Sequence, residues 1–333
     1  MNNSPLLEVR NLKTYFETAG GRFFGRQQNK LKAIDGVSFD IHPGEVLGLV
    51  GESGCGKSTV GRTLTQLEEA TGGEAIFDGT DILKMSAAEF RPLRRSIQMI
   101  FQDPFASLNP RLTIEQTLAE PMRIHGLVKT SQEARTKISA MLQEVGLDPR
   151  VMERYPHEFS GGQRQRIGIA RVMILAPQLV IADEAVSALD VSIQAQVLNL
   201  IKDLQRKSGV SMLFISHDLG VVRHICDRVA VMYLGRIVEM GTKAQIFTNP
   251  SHPYTRLLLS SIPSTKPGRQ KLKDLGEPAS ASSPPSGCAF HPRCSLMSDH
   301  CRTSRPQSRN LGGNHLSACH HIEKMQESSM NAQ

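Results

Sequence analysis

The chain has 333 residues, 39% of them hydrophobic, with a formal net charge of +7, no tryptophan and only 5% aromatic residues. Its length suits one large domain or two smaller ones, each with a sizeable core. So few rings argue against a stacking platform for single-stranded nucleic acid, and the basic residues are scattered along the chain, not gathered into one patch.

The opening "MNNSPLLEVR" lacks the apolar core of a signal peptide. No apolar run reaches the roughly 18 residues of a membrane helix. The best candidate, Val172 to Ala182, is broken by Pro177 and Gln178. The expectation is a protein kept in the cytoplasm, where clustered cysteines bind metal or do redox work more readily than they form disulfides.

From about Leu6 to Gln102 the pattern is strand-rich around one helix, with Glu17 to Lys30 reading as a loop. Within it, Val46 to Val50 is an apolar run that reads as a buried parallel strand. The next residues, Gly51, Glu52, Ser53, Gly54, Cys55, Gly56, Lys57, Ser58 and Thr59, fit G-x-x-x-x-G-K-[ST]. Glycines let backbone N–H groups turn inward around phosphate oxygens, and the following helix offers its N-terminus to the same anion. Lys57 is placed to reach the β- and γ-phosphates, and Ser58 to offer its hydroxyl to Mg²⁺. Cys55 reads as a small filler whose alkylation should block nucleotide entry. This loop alone does not separate kinases, GTPases, motors and transporters.

Residues from about 103 to 158 read as helical. Ser131 to Leu147 carries Ile138, Leu142 and Val145 on one face, with Gly146 near its stop. "FSGGQRQR" follows, with Ser160 as an N-cap residue and Gly161 and Gly162 exposing backbone N–H groups. That makes a second anion-binding helix start, one that a single nucleotide could not easily share with the first from one copy. Arg164 to Arg171 is spaced as a helix burying Ile167, Ala170 and Ile174, so its arginines are expected on a solvated or partner-facing side. "LVIADE" reads as another buried strand. Asp183 at its end is placed to hold Mg²⁺, and strand alternation would turn Glu184 the other way, toward an attacking water, as general base.

Taken in this order, Gly51 to Thr59, the Ser160-Gly161-Gly162-Gln163 signature and Asp183-Glu184 resemble the nucleotide-binding subunit of an ABC transporter. Gln102 in "MIFQDP" resembles the Q-loop, Ser187 to Asp190 the D-loop, and His217 in "LFISHD" the switch histidine. Phe16, or its neighbour Tyr15, resembles the aromatic that stacks on adenine. The resemblance implies an α/β P-loop cassette with a β-rich ATP-binding core, an inserted helical subdomain at about 103–158 and a C-terminal extension. It implies a head-to-tail dimer that sandwiches ATP between the Lys57 loop of one cassette and the Ser160 signature of the other. In it Glu184 polarises water, His217 contacts the γ-phosphate, and Gln102 senses Mg²⁺ and water and links the site to the membrane partner. Asp190 communicates across the dimer. Ala185 stands where that family usually has proline. The expected effect is a looser turn beyond Glu184 without loss of catalysis.

Phe101 to Arg111 and Ser251 to Pro263 narrow the resemblance to the ATPases of oligopeptide/dipeptide importers, most like the F-type subunit. The implied partners are a paralogous D-type ATPase, two permeases and, indirectly, a periplasmic peptide-binding protein, with no nucleic acid. The implied place is the cytoplasmic face of the inner membrane. Nickel importers share these marks. A DNA-repair or chromosome-structural ATPase would need a long coiled coil, a translation-associated ABC protein usually carries two cassettes, and intact Lys57, Asp183, Glu184 and His217 argue against a non-catalytic regulator.

Residues 1–262 are thus expected to form the cassette, and 263–333 a linker and a Cys-rich extension; Ser261 to Gly287 is rich in Pro, Ser and Gly. The extension spaces Cys288, Cys294, Cys301 and Cys319 as C-x5-C-x6-C-x17-C. Four thiolates can hold a [4Fe–4S] cluster or a tetrahedral Zn²⁺. The missing C-x₂₋₄-C pairs tilt toward iron–sulfur, which the resemblance also implies. His291, His300, His315 and His320 keep zinc open, and four free thiols are the plain alternative. Cys226 reads as an ordinary buried thiol.

Overall fold

The structure, a computed structural model, describes residues 4–17, 30–103, 106–262, 276 and 279–325. Most of the loop expected at Glu17 to Lys30 and most of the linker expected at Ser261 to Gly287 lie outside the described residues, as do Pro104 and Phe105.

The first stretch runs β1 (Leu7–Glu17), β2 (Lys30–Ile41), β3 (Val46–Val50), α1 (Lys57–Leu64), β4 (Gly72–Phe77) and β5 (Thr80–Asp81). Then come α2 (Ala87–Phe90), β6 (Ile97–Ile100), α3 (Ile114–Ile124), α4 (Ser131–Glu144), α5 (Gly161–Met173) and β7 (Leu179–Asp183). Next are α6 (Val191–Ser208), β8 (Ser211–Ser216), α7 (Leu219–Ile225), β9 (Arg228–Tyr233), β10 (Arg236–Thr242), α8 (Lys243–Thr248) and α9 (Pro253–Ser260). The extension holds α10 (Asp299–Thr303), β11 (Arg309–Asn310) and β12 (Leu316–Ser317). The chain divides into two compact units: Met1–Leu6, Ile41–Glu45 and Lys84–Ile215 form the first, and Leu7–Asp40, Val46–Leu83 and Ser216–Gln333 the second.

In the first unit β7 lies between β6 and β8, parallel to both, with Ile97 opposite Leu179 and Leu179 opposite Ser211. β7 and β8 are buried at every position, which is why they read as continuous apolar runs and not as alternating ones. Helix α3 packs on α4 and α5, and α5 on α6. Thr113 opens α3 with a capping box to Gln116, and Thr130 caps α4 through the Glu133 N–H. Ile138, Leu142 and Val145 are fully buried, and Gly146 turns the chain at φ +73°, so this helix follows its sequence pattern.

The arginines of α5 differ from expectation. Arg166 donates to the Val145 carbonyl at 2.9 Å, Arg164 to the His157 carbonyl at 3.1 Å, and Arg171 to the Ser107 carbonyl. Their guanidinium heads are donors to backbone carbonyls of neighbouring segments. Periodicity marks which face of a helix is polar, not what that face meets.

In the second unit one sheet has the order β2-β1-β4-β5. In the other, β3 pairs parallel with β9, β9 antiparallel with β10, β10 with β12, and β12 with β11. The extension therefore adds strands beside β10. Tyr233, Tyr254 and Phe290 form a buried ring cluster, with Phe290 meeting Tyr233 edge-on at 5.4 Å between centroids. Glu239, only 1% exposed, accepts the N–H groups of Ser251 (2.6 Å) and His252 (3.0 Å) and meets His315 Nε2 at 2.8 Å. A buried carboxylate with that many partners is satisfied and joins β10, the start of α9 and the extension.

Candidate active site

The second unit carries the phosphate loop. β3 delivers the chain into Gly51 to Gly56, and α1 begins at Lys57 behind Gly56, whose φ is +104°. A Cβ on Gly56 would stand 2.1 Å from the Ala33 carbonyl oxygen, so both the space and the backbone angle require glycine there. Lys57 is buried, and its Nζ donates to the carbonyls of Gly51 (2.8 Å) and Glu52 (3.0 Å). The amine thus lies within the loop, on acceptors that phosphate oxygens can replace. Ser53, Gly54, Ser58 and Thr59 fall where the motif puts them. Cys55 is 4% exposed and burial pushes its thiol pKa up. A buried, protonated thiol reacts slowly, so the expected alkylation block is not readily reached.

At the end of β1, Phe16 and Tyr15 are both half-buried. The Tyr15 hydroxyl donates to Asp35 Oδ1 at 2.7 Å; desolvation first, then that carboxylate, push its pKa up to about 12. Lys32 lies 5.6 Å from the centre of the Tyr15 ring. His217, exposed, directly follows β8, and Asp218 caps α7 through the Gly220 N–H at 2.7 Å.

The first unit carries the other pieces. Ser160 caps α5 in a full capping box: it accepts the Gln163 N–H (3.4 Å) and donates its own N–H to Gln163 Oε1 (3.0 Å). Gly162 sits so close to α6 that a Cβ would meet Ile193 Cγ2 at 2.4 Å, while Gly161 has ordinary room. The signature glycines are therefore not equivalent, and only the second is required by packing. Asp190 stands at the N-cap of α6 without a side-chain capping bond.

Asp183 ends β7 and is buried. Glu184 does not continue the strand. It takes a left-handed φ of +47° and donates its N–H to the Ile215 carbonyl at 3.0 Å. The expectation that strand alternation aims its carboxylate is thus replaced by a strained single-residue turn, the kind of backbone that concentrates at functional sites. The structure brings Gln102 and Glu184 together: Gln102 Nε2 donates to Glu184 Oε2 at 3.0 Å. Beyond the turn, the Ser187 N–H and hydroxyl both donate to the Glu184 carbonyl, at 3.1 and 3.0 Å, and Ala185 is buried.

The tail does not present the expected metal centre. Among the described residues no three His, Cys, Asp or Glu side chains converge to hold a metal ion, so neither the [4Fe–4S] cluster nor zinc finds a ready ligand set at Cys288, Cys294, Cys301, Cys319 and the nearby histidines. All six cysteines of the chain are free thiols. The four tail thiols are nonetheless neighbours. Burial first, and then the other thiols, push Cys294 up to about 11 and Cys319 up to about 12. Cys301 Sγ lies 3.6 Å from His321 Nε2, and the Cys288 N–H bonds the Cys301 carbonyl at 2.8 Å. Cys226 is fully buried, as expected. Among the described residues no helix is long and apolar enough to cross a membrane.

A phosphate loop, a capped Ser-Gly-Gly-Gln helix start and a strand ending at Asp183, with Gln102 on the Glu184 that follows it, are the marks of an ATP-binding cassette. Residues 34–187 match the ABC transporter family model, and 238–301 match that of the oligopeptide/dipeptide transporter C-terminal region. The chain is 50% identical to the oligopeptide transport ATP-binding protein AppF of Bacillus subtilis, covering 96% of this chain and 98% of that one. It is 52% identical to OppF, the oligopeptide transport ATP-binding protein of Escherichia coli K12, over 90% and 92%. The solved dimer of the cassette MJ0796 bound to ADP and Pi aligns with TM-score 0.63 and 26% identity, over 71% of this chain and 98% of that one. The chain belongs to the ABC transporter ATPases of the oligopeptide/dipeptide transporter type. Its reaction is hydrolysis of ATP, with Mg²⁺.

Proposed function

We propose that this ATPase energises the import of di- and oligopeptides. The observation that carries the reading is identity of about half over nearly the whole chain to two oligopeptide transport ATP-binding proteins, extending into the C-terminal region that a dedicated family model matches. Residues 1–262 serve as the cassette and 263–333 as its extension. The partners are two permeases and a D-type paralogue that completes a head-to-tail pair, with a periplasmic binding protein supplying peptide. The chain then sits peripherally at the cytoplasmic face of the inner membrane.

In the cycle, the Gly51 to Gly56 turn presents its backbone N–H groups to phosphate oxygens. Lys57 exchanges its loop carbonyls for the β- and γ-phosphates. Phe16 or Tyr15 stacks on adenine. Ser58, Asp183 and Gln102 supply oxygen donors of the kind that suit Mg²⁺, which when bound neutralises phosphate charge. Glu184 accepts the proton of the attacking water while Gln102 fixes its carboxylate. His217 orders the γ-phosphate side. Ser160 to Gln163 and Asp190 face the partner's nucleotide.

The test of transport is uptake of a labelled tripeptide by cells lacking this chain and given back either wild type or Lys57→Ala. Uptake restored by wild type alone supports the reading. Restored uptake of labelled Ni²⁺ in place of peptide overturns the substrate and leaves the ATPase.

A further inference from the structure

Glu52, the second residue of the phosphate loop, is held from several sides. Its carboxylate receives both guanidinium arms of Arg293, at 2.8 Å to Oε2 and 2.9 Å to Oε1. Its N–H donates to the Tyr254 hydroxyl at 2.8 Å, and its carbonyl accepts Lys57 Nζ at 3.0 Å. Arg293 comes from the extension, in the short turn His291–Arg293 between Cys288 and Cys294. Its side chain is 8% exposed against 26% for Glu52, and the guanidinium lies 5.8 Å from the centre of the buried Phe290 ring. The bidentate pair keeps the guanidinium charged, its pKa raised first by the Glu52 hydrogen bonds. A cavity of about 420 Å³ opens beside the same loop residues, with Ala279 and Ala281 of the extension in its wall.

The motif leaves position 52 unspecified, and a carboxylate there is electrostatically costly. It puts a negative charge one residue from a cradle for polyphosphate. A nearby cation removes that cost, and a pair this shielded is screened little by salt. The motif's own cation, Lys57, is engaged by the Gly51 and Glu52 carbonyls; the one on the Glu52 carboxylate comes from the C-terminal extension.

We propose that Arg293 is a positioning residue for nucleotide binding: it neutralises Glu52 and fixes the outer arm of the phosphate loop, so that the C-terminal extension completes the ATP site. The inference rests on Gly51 to Thr59 being the nucleotide cradle. It makes ATP affinity depend on a segment more than 200 residues away in sequence, since Arg293 and Glu52 are 241 positions apart.

The experiment is steady-state ATPase kinetics on the full-length chain, with thermal unfolding of each variant recorded alongside. Arg293→Met should raise KM for ATP about tenfold with kcat within twofold, and Arg293→Lys, which keeps the charge, should stay within threefold of wild type. Arg293→Met with Glu52→Gln should bring KM back to within threefold, because no unpaired charge remains. Glu52→Gln alone leaves Arg293 as a free cation beside the phosphates and should lower KM at least twofold. This arm decides the matter even if Arg293→Met fails to fold. A KM within twofold of wild type for Arg293→Met, a fall in kcat that tracks stability at unchanged KM, or a KM for Glu52→Gln that does not fall overturns the proposal. Lys57→Ala is the separate control. Undiminished binding of a fluorescent ATP analogue there would sink the cradle assignment itself, a failure that the Arg293 series cannot mimic.

Discussion

Replacing Glu184 by glutamine separates its chemical role from its structural one. Gln102 Nε2 now donates to Glu184 Oε2 at 3.0 Å, and a glutamine carbonyl in the same place can accept the same bond. Side-chain volume and the left-handed backbone are unchanged, so stability should move by no more than about 0.5 kcal/mol. On the proposed assignment, what is lost is the base. General-base catalysis contributes roughly 10²–10⁴-fold, or about 3–5 kcal/mol of barrier, so single-turnover hydrolysis should fall by that factor while ATP binding persists. Glu184→Gly gives the complementary result. It abolishes hydrolysis as well, but removes a side chain from a backbone at φ +47°. Relief of that strain is worth about 1 kcal/mol, a rise of about 2–3 °C in the melting temperature. Rapid-quench hydrolysis and differential scanning calorimetry on the three proteins suffice. Glu184→Gln hydrolysing within threefold of wild type would remove Glu184 as the base, and Glu184→Gly melting below wild type would refute the strain argument.

Other expectations follow from single observations. Ala185→Pro restores the residue usual in the family at a buried position just beyond the Glu184 turn; turnover should change by less than about tenfold, ~1.4 kcal/mol, and a larger gain would show that the alanine limits the rate. His252, fully buried, has its pKa lowered to about 4 by desolvation, against an ordinary 6.5. Below pH 6.5 the unfolded chain takes up a proton that the folded one refuses, so stability is fully present above that pH. It falls toward pH 4 by on the order of 3 kcal/mol, a slope that denaturant titrations should lose in His252→Gln. Cys55 should react with a maleimide far more slowly than a free model thiol, and equal rates would mean that the phosphate loop opens widely in solution.

The sequence made the nucleotide chemistry legible because backbone-driven motifs leave little choice of residue. Gly56 has to be glycine against the Ala33 carbonyl, and Ser160 with Gln163 spells its own capping box. The buried strands β7 and β8 were equally plain as apolar runs. Less legible was whatever depends on long-range contact. The Glu184 N–H is tied to the Ile215 carbonyl, thirty-one residues on, and the residue lies beyond the strand, so a local rule of strand alternation does not apply to its side chain. Arg166 and Arg171 look like surface charges until Val145 and Ser107 are placed beside them. Arg293 carried no signal of its own, and only an unexplained acidic residue inside the phosphate loop could have prompted a search for its partner. The cysteines drew attention by their number, yet spacing alone did not place their sulfurs around one ion.

The two short strands of the extension have a further consequence. Without β12, strand β10 would be seven residues of open edge, Arg236 to Thr242, with backbone donors and acceptors turned outward. Such an edge is a template on which another chain can pair. β12 covers part of it, and the exposed β11, only two residues long, offers little to the next molecule. Shortening the chain before residue 309 should therefore do more than remove cysteines: it should turn a monodisperse preparation into one that self-associates through sheet edges.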